Sequence, residues 1–208
     1  MGPQMNQTQY KQLLLDSLFA PYKNCTLCPL STQGRTTVVF GEGNPNANLM
    51  LIGEGPGKEE DKQGRPFVGR SGKFLTKILT SLGISRKEIY IANIVKCRPP
   101  KNRAPLLSEL SICKKILLEK QIKIIQPKII CSLGAYATNA LLNQKIAITK
   151  IRGTTQLYQG VQFLPTFHPA YVLRNTKELQ KLTLDLETAF NLSIADILNN
   201  KSAIETKT

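Results

Sequence analysis

LMLIGEGPGKEEDKQGRPFVGRSGKFLTKIL, residues 49–79, decides how this chain is read. It opens with an apolar run, Leu49–Ile52, that reads as a buried strand, and it closes with Phe74–Leu79, which reads as a helix. Between them Gly53–Gly72 carries six glycines, two prolines, four acidic and four basic side chains. A Gly/Pro-rich loop that leaves the carboxyl end of a strand and feeds a helix lets backbone approach a ligand closely. The loop alone does not choose the ligand.

The same alternation continues outward. Gln7–Ala20 reads as an amphipathic helix ended by Pro21, and residues 36–40, β-branched and aromatic, as a short strand. Ser71 is placed to cap the helix that stops at Gly83. Ile89–Val95 is a second buried strand, followed by a basic, proline-laden loop, Lys96–Pro105. A helix is expected over Leu107–Ile125, a third strand over Lys128–Leu133, a short helix over Ala135–Leu142, and a fourth strand over residues 161–166. That strand enters Phe167-His168-Pro169-Ala170, and the chain is then helical to about Leu198. Strands alternating with helices predict an α/β fold of three layers, αβα, with a central, mainly parallel, four-stranded sheet. Ligands of such sheets bind beyond the strands' carboxyl ends, where Glu54, Asn93 and His168 all fall. Residues 1–6 are set aside as a tag or disordered segment, 7–198 form one domain, and 199–208 are a polar tail.

Lysine and arginine outnumber acidic residues 28 to 14, a formal charge of +14, which favours a polyanionic partner, nucleic acid first. No apolar run approaches the roughly 20 residues of a membrane span and no signal peptide is present, so a soluble, cytoplasmic monomer with no membrane partner is expected. Five cysteines, an odd number, argue against a disulfide framework. Cys25 and Cys28 have the spacing of a metal knuckle, and Cys97 and Cys113 can complete four thiolates for one zinc or one iron–sulfur cluster. Cys131, inside the apolar run Ile129–Leu133, reads as core.

Taken together, Gly53–Gly57, Gly64–Gly69, Asn93, Lys96–Pro100 and His168–Arg174 closely resemble the motifs of the family 4 uracil-DNA glycosylases, in the expected order. The resemblance covers roughly residues 20 to 190. It implies a structural [4Fe–4S] cluster on Cys25, Cys28, Cys97 and Cys113, and DNA containing uracil, single- or double-stranded, as substrate. It further implies an enzyme that flips uracil from the stack and hydrolyses its N-glycosidic bond, leaving an abasic site. By the same resemblance Phe67 is the floor on which uracil stacks, Asn93 reads the base edge, Glu60 occupies the space beside C5, and His168 stabilises the departing uracil anion. Glu54 and the backbone at Gly55 are the candidates for positioning water; other branches carry Asp or Asn where this chain has Gly55. The loop Tyr171-Val172-Leu173-Arg174 is expected to wedge into the minor groove, with Arg98, Lys101, Lys96 and Arg103 on phosphates.

Three other classes fit the sequence less well. Gly64–Ser71 approaches a P-loop, but it has arginine for lysine and starts far past the strand end. A non-catalytic, metal-stapled DNA-binding module, or a domain recruited to a replication protein, would leave a uracil-containing oligonucleotide uncut with its metal centre intact. A covalently DNA-trapping relative would need an arginine-rich insertion and a second histidine, and His168 is the sole histidine.

Overall fold

Along Leu49–Gly53 side chains alternate between two apolar layers, Leu49 and Leu51 to one and Met50 and Ile52 to the other, all fully buried. This is the middle of the sheet. The computed structural model describes residues 5–205. Its strands are β1 (Glu42–Gly43), β2 (Leu49–Gly53), β3 (Tyr90–Asn93), β4 (Ile129–Leu133), β5 (Gln156–Tyr158) and β6 (Val161–Thr166), in the order β1-β3-β2-β4-β6-β5. The expected four-stranded parallel sheet is its centre, β3-β2-β4-β6, and two short antiparallel strands, β1 and β5, extend its edges.

Helices cover both faces. On one face α1 (Gln7–Phe19), α4 (Leu107–Cys113), α5 (Glu119–Ile125) and α6 (Ala135–Leu142) bury Leu15, Leu110, Ile122 and Leu141 against Met50, Ile52, Ala92 and Ile130. On the other, α3 (Arg70–Ser81), α8 (Pro169–Val172) and α9 (Leu179–Glu205) bury Leu75, Leu79, Val172, Leu182 and Leu186 against Leu51, Ile91, Cys131 and Leu164. Each such aliphatic side chain contributes about 1.5–3 kcal/mol when fully buried. Two short helices, α2 (Lys58–Gln63) and α7 (Ile148–Ile151), lie in the connections.

Several expectations are corrected. Residues 36–40 form no strand: Thr36 and Thr37 give their amides to the buried Asp61 carboxylate, and Val39 N–H donates to Lys96 O at 2.7 Å. The edge strand is Glu42–Gly43 instead. Ser71 does not cap α3; its N-cap is Gly69, with Glu60 accepting the Gly69 amide. The helix over 107–125 contains a π turn, Lys114–Leu118, just after Cys113, a feature that recurs at functional sites. Asn6 caps α1, and α9 continues past Leu198 to Glu205; residues 1–4 and 206–208 of the expected termini lie outside the described residues.

Sequence reading missed β5. Its hairpin to β6 turns on Gln159 (φ 49°) and Gly160 (φ 82°), the positive-φ pair of a two-residue turn that favours Asn-Gly. Gln159→Asn should therefore raise stability by about 0.5–1 kcal/mol, seen as a higher urea midpoint; a lower midpoint would contradict this turn geometry.

Candidate active site

Gly53 ends β2, and a Cβ there would sit 2.4 Å from Asn93 Oδ1 and 2.6 Å from Phe67 Cζ. Glycine is required for this close approach, which brings the strand-end amide and the loop aromatic against one another. Asn93 ends the neighbouring β3 and is 2% exposed; its Oδ1 is buried with no hydrogen-bond partner. A buried carbonyl oxygen without a donor costs free energy unless something supplies one. Both side chains line a cavity of about 860 Å³ at the carboxyl ends of the strands, with Glu54, Gly55, Glu60, His168 and Tyr171.

Phe67 is held in a strained backbone conformation, φ 52°, which a non-glycine residue rarely adopts. Arg86 fixes it by donating to Phe67 O at 2.9 Å and Pro66 O at 2.8 Å, while pairing with Glu42 at 2.6 Å. Sequence reading missed Arg86, because nothing local to it marks a residue that acts on a loop 19 positions away. Glu60 is no solvated loop charge. Its Oε1 accepts from Val68 N at 2.9 Å and Gly69 N at 2.7 Å, so it knots the two arms of the loop while lining the cavity.

His168 caps α8, and its Nδ1 accepts from Ala170 N at 3.0 Å. The proton of the neutral imidazole is thereby left on Nε2. Burial pulls its pKa down to about 4, Arg174 adding to the effect and Glu60 opposing it. Its ring centre lies 5.8 Å from that of Phe67. Gly134 has φ +93°, and a Cβ there would meet His168 Cβ at 2.7 Å, so glycine makes room for the ring. Burial acts oppositely on Glu54, pushing its pKa up to about 7. At Gly55 the space for a Cβ is taken by Val95 Cγ2, 2.7 Å away. A side chain at this position would collide with Val95.

The rim is only partly as expected. Tyr171 is 37% exposed and lines the cavity, Leu173 is half-buried, and Arg174 is exposed. Val172 is fully buried among Leu75, Leu182 and Leu186, so it is core and no wedge. Lys101 is exposed, and Arg98 donates to Asn102 Oδ1 at 2.8 Å. Arg103 is committed to Glu109 through two bonds of 2.9 and 2.7 Å, and Lys96 is 0% exposed, so neither is a free phosphate contact.

Cys25, Cys28, Cys97 and Cys113 share one apolar face, close enough for their charges to influence one another, whereas Cys131 lies across the sheet. Lys96 N–H donates to Cys113 Sγ at 3.3 Å. Arg35 donates to Cys25 O at 2.6 Å and acts electrostatically on Cys28 and Cys97, yet its buried Nε–H has no partner. Four thiols with an unpaired cationic donor beside them match the chemistry of a sulfur-rich anionic centre. Among the described residues no three Cys, His or carboxylate side chains form a ready single-ion site, so donor chemistry carries the fit. Pro99, Asn102, Arg103 and Pro105 of the same loop form one wall of the cavity.

The family model described as the Uracil DNA glycosylase superfamily matches residues 40–191, which include every cavity-lining residue named above. The chain belongs to this superfamily. Among curated relatives it is 47% identical over 183 residues to the type-4 uracil-DNA glycosylase of Thermotoga maritima, covering 86% of this chain and 94% of that protein. It is 41% identical to the type-4 uracil-DNA glycosylase of Sulfurisphaera tokodaii (82% of this chain, 81% of that one) and 43% identical to that of Saccharolobus solfataricus (77% and 78%). The family resemblance read from the motifs and the mainly parallel sheet thus agree with the superfamily's match.

Phe67, which lines the cavity, is packed tightly from below in its strained pose. A Cβ at Gly72 would overlap the Phe67 carbonyl carbon at 2.0 Å. Gly72→Ala should cost about 1–3 kcal/mol or more in urea unfolding; an unchanged midpoint would contradict the contact.

Proposed function

We propose that the protein is a monofunctional uracil-DNA glycosylase that removes uracil flipped out of DNA and leaves an abasic site. The carrying observation is the buried, unpartnered Oδ1 of Asn93, a side chain that lines the cavity together with Phe67 and His168. Uracil offers an N3–H donor to that oxygen and an O4 acceptor to the amide Nδ2. Cytosine offers the opposite pattern, so one side chain separates the two bases. Phe67 supplies the stacking face, and Glu60, which lines the cavity and accepts from the Val68 and Gly69 amides, crowds the position where thymine carries its methyl in this reading. A binding module without catalysis gives the Asn93 oxygen and the lowered His168 pKa no task.

Breaking the bond leaves negative charge on the base and positive charge on the sugar. His168 Nε2–H donates to O2 as the charge develops; the Ala170 amide on Nδ1 keeps the neutral ring's proton on Nε2 across ordinary pH. Glu54, once ionised, stabilises the cationic sugar and orients water together with the Gly55 backbone. On the rim Tyr171 and Leu173 take the wedge role, and Arg174, Arg98 and Lys101 meet phosphates. Cys25, Cys28, Cys97 and Cys113 would hold a [4Fe–4S] cluster, whose contribution when bound is structural, tying the loop 97–113 that walls the cavity.

With a uracil-containing oligonucleotide, excision measured as alkali-labile sites should fall about 10²–10³-fold in His168→Ala. The acid limb belongs to Glu54. Its folded pKa lies above the ordinary carboxylate value, so the active carboxylate is lost as pH falls through about 7. The rate should drop about tenfold per unit below that point and level off above it. Glu54→Gln should abolish the limb, whereas His168, neutral above about 4, adds none. A limb that survives in Glu54→Gln would refute the assignment.

Cys97→Ala should lose the visible absorbance of the cluster and weaken DNA binding together, while Cys131→Ala keeps both. Loss of absorbance with unchanged binding would contradict the structural role.

A further inference from the structure

Lys96 is among the largest fully buried side chains of the described residues, and no carboxylate pairs with it. Its Nζ donates to Asn93 O at 2.9 Å and to Gln121 Oε1 at 2.6 Å, and it lies 5.9 Å from the centre of the Phe40 ring. An ammonium has three N–H donors, and here two meet carbonyl oxygens while the third faces an aromatic π surface. A neutral amine would turn a lone pair towards one of these electron-rich partners. Gln121 is itself fixed, donating to Phe40 O at 3.0 Å and to Tyr90 OH at 3.2 Å. The lysine therefore hangs from a rigid support and grips the peptide that carries Asn93. A fully buried lysine with no carboxylate partner is a costly way merely to fill space.

The main chain around it serves the same region. Ile94 N donates to Gly53 O at 2.9 Å, Val95 N to Glu54 O at 3.1 Å, and Lys96 N to Cys113 Sγ at 3.3 Å. Residues 93–97 thus join the base-reading amide, the Glu54 loop and two of the thiols in one short segment.

We propose that Lys96 is a positioning residue for uracil recognition: by gripping the Asn93 carbonyl it holds the Asn93 amide at the register that meets the base edge. The inference rests on Asn93 reading uracil, as proposed above. Lys96 touches no substrate and acts only through Asn93. A lysine filling space in the core would affect stability and every step alike; a positioning lysine affects what Asn93 does and nothing beyond it.

The test is a double-mutant cycle on the full chain with its metal centre loaded, using Lys96→Met, Asn93→Ala and the double variant. Single-turnover excision from a uracil-containing oligonucleotide is read beside visible absorbance. Lys96→Met should slow excision about ten- to a hundredfold at unchanged absorbance. In the Asn93→Ala background it should add no further loss, because the amide it positions is gone. Multiplicative losses, or a Lys96→Met rate equal to the parent's while Asn93→Ala is slow, overturn the proposal. An Asn93→Ala variant as fast as the parent overturns the uracil-reading role itself, a separate failure. Should Lys96→Met not fold, Lys96→Gln, which keeps a donor on a shorter stem, enters the same cycle with the same non-additive result expected and additivity again decisive.

Discussion

The close packing at the end of β2 is the constraint on which the rest of the site depends. With no side chain at Gly53, the Asn93 amide and the Phe67 ring come together over the strand ends. Any Cβ there would push apart Asn93 and Phe67, the residues proposed to read a base edge and to offer it a face. Other contacts extend this crowding. Gly72 lies under the strained Phe67, Gly134 lies under His168, and Val95 fills the space at Gly55. The cavity is therefore built by backbone packed against side chain, with glycines where a Cβ would intrude.

Desolvation gives this packing its chemistry. The same burial raises Glu54 to about 7 and lowers His168 to about 4, separating an acid that titrates near neutrality from an imidazole that stays a neutral donor. The Ala170 amide on His168 Nδ1 fixes which nitrogen faces the cavity. A helix-cap contact, ordinary in itself, here determines the direction of the only imidazole in the chain.

Much of this was legible in sequence because it is local. The apolar runs at Leu49–Ile52 and Ile129–Leu133, the glycine loop and the paired cysteines declare themselves within a few residues, and the parallel sheet follows from their alternation. What could not be read are the long-range partners. Lys96 looks like one more cation of a basic loop until Gln121 and the Asn93 carbonyl are seen around it. Val172 looks like part of a groove-seeking wedge, yet its side chain points into the core beneath α3 and α9. Arg86 and Arg35 carry no local mark at all, and each acts on a loop through tertiary contacts. The edge strands escaped for another reason: two or three residues carry too little periodicity.

The central claim, a neutral imidazole aimed by its Nδ1 contact, is open to one direct measurement because His168 is the sole histidine of the sequence. In protein labelled with 15N-histidine, the ring nitrogens of this residue are observed alone between pH 8 and pH 5. The account predicts a neutral ring with its proton on Nε2 throughout that range, unchanged as pH falls. A ring that becomes cationic near the ordinary histidine value of about 6.5, or one protonated on Nδ1, would contradict it.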